Sequence, residues 1–285
     1  MMKMGQTTNI QRGSTTSRER GFSLIELLIV LTILTIVMGA VVQVISTATQ
    51  RGQIEQTKVD LSQEAREFVD EFERDIHQSG YPNCKMFNAG AACDLTRATV
   101  AAGLVSVSNT AITFEGDVDG DGSVNSITYR IVDSANNYPP TGTCPCTIQR
   151  SQIPKVVGTQ PMAQGPQQWS QELQNVVNSG NPVGGALYGG GLNIAGNTKW
   201  GGTNTAYYAA VATFKDFPVF SAYDQNGANL ALPLDISVSQ ATVKPIASIR
   251  LTLNLLGDAV TGVDLASNVR PVLTLVGNGR VNNNN

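Results

Sequence analysis

Three aspartates at alternate positions form the segment of this chain whose spacing best suits metal binding. The run D-x-D-x-D-G comprises Asp117, Asp119, Asp121 and Gly122. Side-chain oxygens at alternate positions, followed by a glycine that permits a sharp turn, match the first half of a calcium loop. The remaining candidate ligands are the carbonyl of Ser123 and the side chain of Asn125.

The aspartate run departs from a complete EF-hand loop. Thr128 stands at the twelfth position, where that loop has a bidentate glutamate, and the flanking segments alternate like strands instead of helices. Two interpretations therefore remain open: a weak extracellular calcium turn, or a solvated hairpin loop. The argument for calcium is that three neighbouring carboxylates repel one another when no cation is present.

A single carboxylate, Glu26, lies inside the apolar run of residues 22–45. As a helix this run is roughly 36 Å long, enough to cross a bilayer core of about 30 Å. A carboxylate in such a span costs about 2.5–3.5 kcal/mol, so a partner is expected. Cleavage between Gly21 and Phe22 would create an α-amine one helical turn away, on the same chain or on a neighbouring subunit.

Residues 1–21 form a basic leader with a net charge of +3, which leaves −6 for the rest of a chain whose formal charge is −3. By the positive-inside rule, the N-terminus is expected to be cytoplasmic. Two alternatives remain. One is a secretory signal cleaved near residues 46–48, although a signal has an apolar region of only about 7–15 residues. The other is an ordinary signal anchor.

The stretch R-E-R-G-F-S-L-I-E followed by an apolar span resembles the class III signal of type IV pilins and type II secretion pseudopilins. The resemblance implies that prepilin peptidase cuts after Gly21 and N-methylates Phe22. It also implies that Glu26 guides the subunit into a fibre of other pilin or pseudopilin subunits. The expected location is the inner membrane, as a single-pass protein with a cytoplasmic N-terminus, and then the periplasm, the pilus or the cell surface.

The apolar pattern of residues 46–79 predicts an amphipathic continuation of the same helix. Its stripe comprises Leu61, Ala65, Phe68, Phe72 and Ile76. The glycine at position 80, after Ser79, and Pro82 signal its end. The terminal stretch FERDIHQSGY resembles that of PilW-type minor pilins and shares features with J-class pseudopilins. This resemblance implies a non-enzymatic subunit that primes or caps pilus assembly. A secretion pseudopilin and a pilus-tip adhesin are the alternatives.

The body, residues 80–285, is expected to be an extracytoplasmic, β-rich head. Segments around Ile112 and Phe114, and around Ile127 and Tyr129, alternate like half-buried strands. Four further strand-like segments occur near the C-terminus, and Asn226-Gly227 signals a turn within the second of them. The sequence thus predicts an α+β, pilin-like fold in which the long helix packs on an antiparallel sheet.

Residues 150–205 are poor in charge and rich in Gly, Asn, Gln and Pro. They predict a loop-rich insertion with irregular loops and a short helix around QQWSQELQNVVNSG. Trp169 and Trp200 lie in or beside these loops. Each would either join a satellite core or serve as an exposed contact residue.

The four cysteines are expected to form disulfides if the head is exported. They are Cys84, Cys93, Cys144 and Cys146. Pairing within each close pair and crossed pairing are both allowed. Neither pair has the Cys-x-x-Cys spacing of a zinc site.

Other classes of function find little support in the composition. The acidic body disfavours nucleic-acid binding through a basic surface. Neither a G-x-S-x-G nucleophile motif nor a G-x-x-x-x-G-K phosphate loop occurs in the sequence. We therefore expect no enzyme activity and no cofactor other than possible calcium.

Overall fold

The computed structural model describes residues 21, 23–87, 94–133, 135–140, 146–178, 217–236, 243, 245–257 and 272–281. The leader up to residue 20, Phe22, Cys93, Cys144 and Trp200 lie outside this set. The chain divides into two compact units, residues 1–49 and 50–285.

The first unit contains the start of a single long helix, α1 (Leu24–Gln78). Up to residue 45 this helix is a nearly uninterrupted run of large apolar residues, and all of its turns expose them. Its few hydroxyl groups are satisfied within the helix, since Thr32 and Thr35 donate to carbonyls one turn earlier. The apolar run thus needs no outside partner for these groups.

The second unit contains the rest of α1 and a large antiparallel sheet. The predicted stripe on α1 is confirmed: Leu61, Ala65, Phe68, Phe72 and Ile76 are all buried, together with Val69 and Asp75. The helix ends where the sequence predicts. Ser79 leaves the helix, and Gly80 has φ +78°, a left-handed conformation that glycine adopts without penalty.

In the part of the chain that the structure describes, a short helix, α2 (Cys84–Phe87), and ten strands follow α1. The strands are β1 (Gly103–Val107), β2 (Ala111–Gly116), β3 (Asn125–Val132), β4 (Cys146–Pro154), β5 (Trp169–Val176), β6 (Phe220–Tyr223), β7 (Asn229–Leu230), β8 (Leu234–Asp235), β9 (Ser248–Leu256) and β10 (Val272–Arg280).

These strands form one sheet in the order β7-β6-β9-β5-β4-β3-β2-β1-β8, with β10 also paired to β9. The antiparallel α+β architecture agrees with the prediction and is pilin-like. Strands β2 and β3 lie where the alternation placed them, joined by the aspartate loop. The Asn226-Gly227 turn is also present between β6 and β7, with Gly227 at φ +79°.

The aromatic core lies between α1 and the sheet. Tyr129 on β3 is fully buried and meets Phe72 edge-on at 5.4 Å between ring centroids. Phe72 also contacts Phe220 on β6 at 5.8 Å. Because side chains alternate along a strand, the neighbours of Tyr129 on β3 point to the opposite face of the sheet.

Two glycines on β10 allow α1 to approach the sheet closely. A Cβ at Gly277 would lie 2.7 Å from Cγ1 of Val69, and one at Gly279 would lie 2.8 Å from Cγ2 of Ile76. The backbone N–H of Asn278 between them donates to Glu73 Oε1 at 2.8 Å. At these two glycines α1 therefore packs directly against the backbone of β10.

The prediction of irregular structure from residue 150 onward is wrong for residues 150–154 and 169–176, which are strands, whereas residues 155–168 are mostly loops and turns as predicted. Residues up to Pro154 belong to β4, and the predicted helix is strand β5 in the middle of the sheet. Leu173, Val176 and Val177 are all buried, at a spacing that imitates a helix. Register shifts between β4 and β5, with Asn175 at φ +64°, explain this spacing. The remainder of the predicted insertion, 179–205, lies outside the described residues.

Candidate functional site: the N-terminal helix and the anchors of its second half

The first part of α1 has the surface of a membrane or assembly helix. Among the described residues it is the one helix long and apolar enough to cross a membrane by length and composition. Leu24 is 77% exposed, and Ile45, at the far end of the run, is 59% exposed. An apolar surface of this extent requires a nonaqueous environment, either lipid or other apolar helices.

Glu26 is the acidic residue of the first helical turn, and it is exposed. Its backbone N–H donates to the Ser23 carbonyl at 3.0 Å, so the helix is already formed at this position. An acidic side chain here is also favoured by the helix dipole. Its predicted partner is the α-amine of Phe22, which lies outside the described residues, and the pairing stays a prediction.

Asp75 anchors the second half of α1 to the sheet. Only 1% of its side chain is exposed, and its Oδ2 accepts hydrogen bonds from Tyr129 Oη at 2.7 Å and Arg150 Nη2 at 2.8 Å. Glu71 Oε1, one turn earlier, lies 3.7 Å from Arg150 Nε. Burial, reinforced by the charge of Asp75, raises the pKa of Tyr129 above its usual range, so this hydroxyl remains a donor.

Sequence reasoning missed this cluster, although one signal was available. Asp75 is three residues after Phe72 and beside Ile76, so it lies on the apolar stripe and not on the solvated face. A carboxylate on such a stripe must find a buried partner. Its partner Arg150 lies 75 residues away on β4, and the local sequence does not indicate that contact.

A second buried ion pair joins the end of β2 to the residue after β4. The side chains of Glu115 and Lys155 are fully buried and in contact, and Lys155 also donates to the Val100 carbonyl at 2.7 Å. Burial raises the pKa of Glu115, and the adjacent Lys155 ammonium opposes that rise. Because the Glu115 carbonyl accepts from the N–H of Gly80 at 2.8 Å, this strand end also holds the end of α1.

The aspartate loop follows directly after this junction. Carboxylate oxygens of Asp117, Asp119 and Asp121 lie within 4.8 Å of one another. Asp117 is buried, and its two oxygens accept from the backbone N–H groups of Gly120 and Gly122. The three aspartates therefore converge as predicted.

The other two predicted ligands, Ser123 and Asn125, form hydrogen bonds to the aspartates of the loop. The Asn125 amide is directed at Asp119 Oδ2, 3.2 Å away, and Ser123 donates its N–H to Asp121. The five positions thus share one loop, and hydrogen bonds within that loop already occupy carboxylate oxygens of all three aspartates. Calcium binding stays a prediction.

The predicted disulfides can be assessed only in part. Cys84 and Cys146 are both disulfide-bonded. Cys146 is fully buried at the start of β4, and Cys84 is nearly so at the start of α2. Cys93 and Cys144 lie outside the described residues, so the connectivity stays a prediction.

Comparison with known proteins bears on the N-terminal segment. Residues 16–42 match the family model described as the prokaryotic N-terminal methylation motif. No curated protein and no solved structure matches the chain. The matched segment contains Gly21, Phe22 and Glu26 and continues into the exposed apolar part of α1. Together with the long helix on an antiparallel sheet, this motif supports a type IV pilin-like protein.

Proposed function

We propose that this chain is a minor pilin of the PilW type, a non-enzymatic subunit that helps prime or cap a type IV pilus. It is made as a single-pass inner-membrane protein with a cytoplasmic N-terminus. Prepilin peptidase then removes the leader and methylates Phe22. The observation that carries this proposal is the fully exposed apolar segment of α1, which begins within the methylation motif and contains one carboxylate, Glu26.

The physical mechanism is an exchange of apolar surroundings. The exposed leucines, isoleucines and valines of α1 leave lipid for a bundle of equally apolar pilin helices. Little hydrophobic free energy is gained or lost in this step, because lipid tails and helix side chains are similarly apolar. The pairing of Glu26 with an α-amine therefore determines whether the helix moves from lipid into the fibre. Glu26 is uncompensated in lipid and gains a partner when it meets the α-amine of Phe22 on a neighbouring subunit.

A minor pseudopilin of a type II secretion system is the second candidate, because the same helix and carboxylate would serve a shorter fibre. The stretch FERDIHQSGY at the end of α1 resembles PilW-type pilins, which favours the pilus. Deletion of the gene distinguishes the two. Loss of pili with secretion intact is expected, whereas loss of secretion with pili intact would contradict the pilus assignment.

The proposal is tested by N-terminal sequencing and intact-mass analysis of the protein from cells with and without prepilin peptidase. The expected mature chain starts at N-methylated Phe22 and appears only when the peptidase is present. A Gly21→Leu variant should remain uncleaved, and a Gly39→Leu variant, changed at an open helix position, should be processed normally. Cleavage after Ala48, or no cleavage at all, would refute the assignment to the pilin pathway.

A further inference from the structure

We infer that the sheet face opposite α1 carries a binding groove for a neutral saccharide. A groove of about 310 Å³ lies on that face, at the low end of the range for small-ligand sites. It is independent of the processing and assembly of the N-terminal helix. Its lining combines hydroxyl groups, aromatic rings and a single pair of opposite charges.

A row of polar residues crosses six strands on this face, and all of its members except Ser151 line the groove. Successive cross-strand partners run from β8 through β1, β2, β3 and β4 to β5. They are Asp235, Ser106, Thr113, Thr128, Ser151 and Trp169. Directly paired residues on neighbouring strands project from the same face of a sheet. Thr128 adjoins Tyr129, whose ring packs on α1, so this row faces away from the helix.

Four consecutive positions of the row carry hydroxyl groups, and three of these residues, Ser106, Thr113 and Thr128, line the groove. Thr113 Oγ1 and Thr128 Oγ1 lie 3.1 Å apart in the groove, and both side chains are partly exposed. Ser151 is buried, and its Oγ accepts the N–H of Gln168. This bond holds the segment before β5 against β4. A row of hydroxyls can both donate to and accept from a ligand that carries hydroxyls.

One end of the groove is aromatic. The guanidinium of Arg130 stacks on the Trp169 ring at 3.6 Å and lies 5.5 Å from the Tyr138 ring. Two hydrogen bonds to Gln149 Oε1, at 3.0 and 2.9 Å, hold Arg130 in place. Tyr138 is 44% exposed. Because Arg130 covers one face of Trp169, the exposed ring of Tyr138 is the flat apolar surface that the C–H face of a sugar ring can meet.

The groove lining contains a buried hydrogen-bond acceptor, the side-chain carbonyl of Gln167. Gln167 Oε1 is buried and accepts no hydrogen bond within the described part of the chain, and Gln167 lines the groove. A buried acceptor left unsatisfied costs free energy, which a ligand hydroxyl would recover. The charged groups of the described lining, Arg130 and Asp235, have opposite signs. A neutral ligand that donates hydrogen bonds and has C–H faces fits this set better than an anion does.

The test is a microarray of neutral and acidic oligosaccharides probed with the full chain, kept soluble in a detergent without a sugar headgroup. Each hit is then measured by titration calorimetry. Binding of neutral glycans is expected. The double variant Thr113→Val, Thr128→Val should weaken it at least tenfold, because valine keeps the shape and removes both hydroxyls. Tyr138→Leu should weaken it by a similar factor through loss of the exposed flat ring.

A matched control is Thr252→Val on β9, a partly exposed threonine outside the groove, which should bind like the parent chain. Thermal unfolding of each variant verifies that the head remains folded. No binding to any neutral glycan, binding confined to acidic glycans, or hits that the threonine variants leave unchanged would each overturn the inference. These outcomes say nothing about leader processing, so the pilin proposal stands or fails separately.

Discussion

Asp75 is a residue whose buried charge decides where α1 attaches to the sheet. Its carboxylate accepts from both Tyr129 and Arg150, and its side chain is almost entirely removed from water. A buried ion pair is weak evidence for stability as such, but removal of one partner leaves the other charge uncompensated. The head should therefore be sensitive to the loss of this one carboxylate.

We predict that Asp75→Ala lowers the free energy of unfolding by about 3 kcal/mol, because Arg150 loses its nearest and most buried carboxylate. Tyr129→Phe removes one hydrogen bond and should cost about 1 kcal/mol. Urea unfolding of the full chain in detergent measures both. The matched control is Asp60→Ala, an exposed aspartate of the same helix whose partner is Gln56. If Asp75→Ala is no more destabilising than Asp60→Ala, the anchoring role is wrong.

The aspartate loop leads to a separate prediction at the same scale. If the loop binds Ca²⁺ at the millimolar affinity typical of extracellular modules, millimolar Ca²⁺ should raise the melting temperature of the chain and equal Mg²⁺ should not. The double variant Asp119→Asn, Asp121→Asn should abolish this Ca²⁺-dependent rise in melting temperature. Asp94→Asn, in another exposed loop, should retain it. An equal response to both cations, or none, would leave the loop as a solvated hairpin turn.

Among the elements, the contact between α1 and β10 depends on the absence of side chains. Gly277 and Gly279 leave room for Val69 and Ile76, whose atoms would lie within 3 Å of any added Cβ. Steric tolerance is low here because the opposing atoms belong to branched, buried side chains that cannot swing away.

Gly279→Ala should therefore destabilise the head by about 1–3 kcal/mol through overpacking. Gly165→Ala is the control, since no atom lies within 4 Å of its added Cβ. Combination of Gly279→Ala with Ile76→Ala should cost less than the sum of the two single changes, because the cavity accepts the new methyl group. Strict additivity in urea unfolding would show that the two residues do not oppose each other.

Elements whose contacts lie along a single face of a helix or strand can be predicted from the local sequence pattern. The stripe of α1 and the alternation of β2 and β3 arise from contacts along one face, so the sequence pattern reveals them directly. Strand β5 was misread because its bulge places Leu173 and Val176 on the same side, a spacing that local pattern attributes to a helix. The pairs Asp75–Arg150 and Glu115–Lys155 depend on strand order, which no local pattern contains.

For the whole molecule, the proposed function separates the fibre-forming part from the folded head. Glu26 is exposed on the apolar part of α1, whereas the buried anchors of the helix begin at Leu61. Changes at Glu26 should thus affect assembly without affecting the stability of the head. This separation allows assembly to be tested without confusion with misfolding.

Glu26→Ala should be cleaved by prepilin peptidase yet be absent from sheared fibres, while its thermal unfolding matches that of the parent chain. Glu55→Ala is the control, a carboxylate on the same helix beyond the apolar run that pairs locally with Lys58. Both are measured by immunoblotting of sheared pili and of membranes. Normal incorporation of the Glu26→Ala chain would contradict the role assigned to the carboxylate.

The contact between Glu73 and Asn278 also determines how long α1 stays uncovered during synthesis of the chain. These residues are separated by 205 positions, so the strand that covers Val69 and Ile76 is synthesised long after the helix it covers. At about 5–20 residues per second, the ribosome needs roughly 10–40 s to travel that distance. During this interval the stripe on α1 lacks the cover that β10 provides. A nascent chain already inserted by its apolar segment would therefore remain at the membrane, with part of its core uncovered, until β10 emerges.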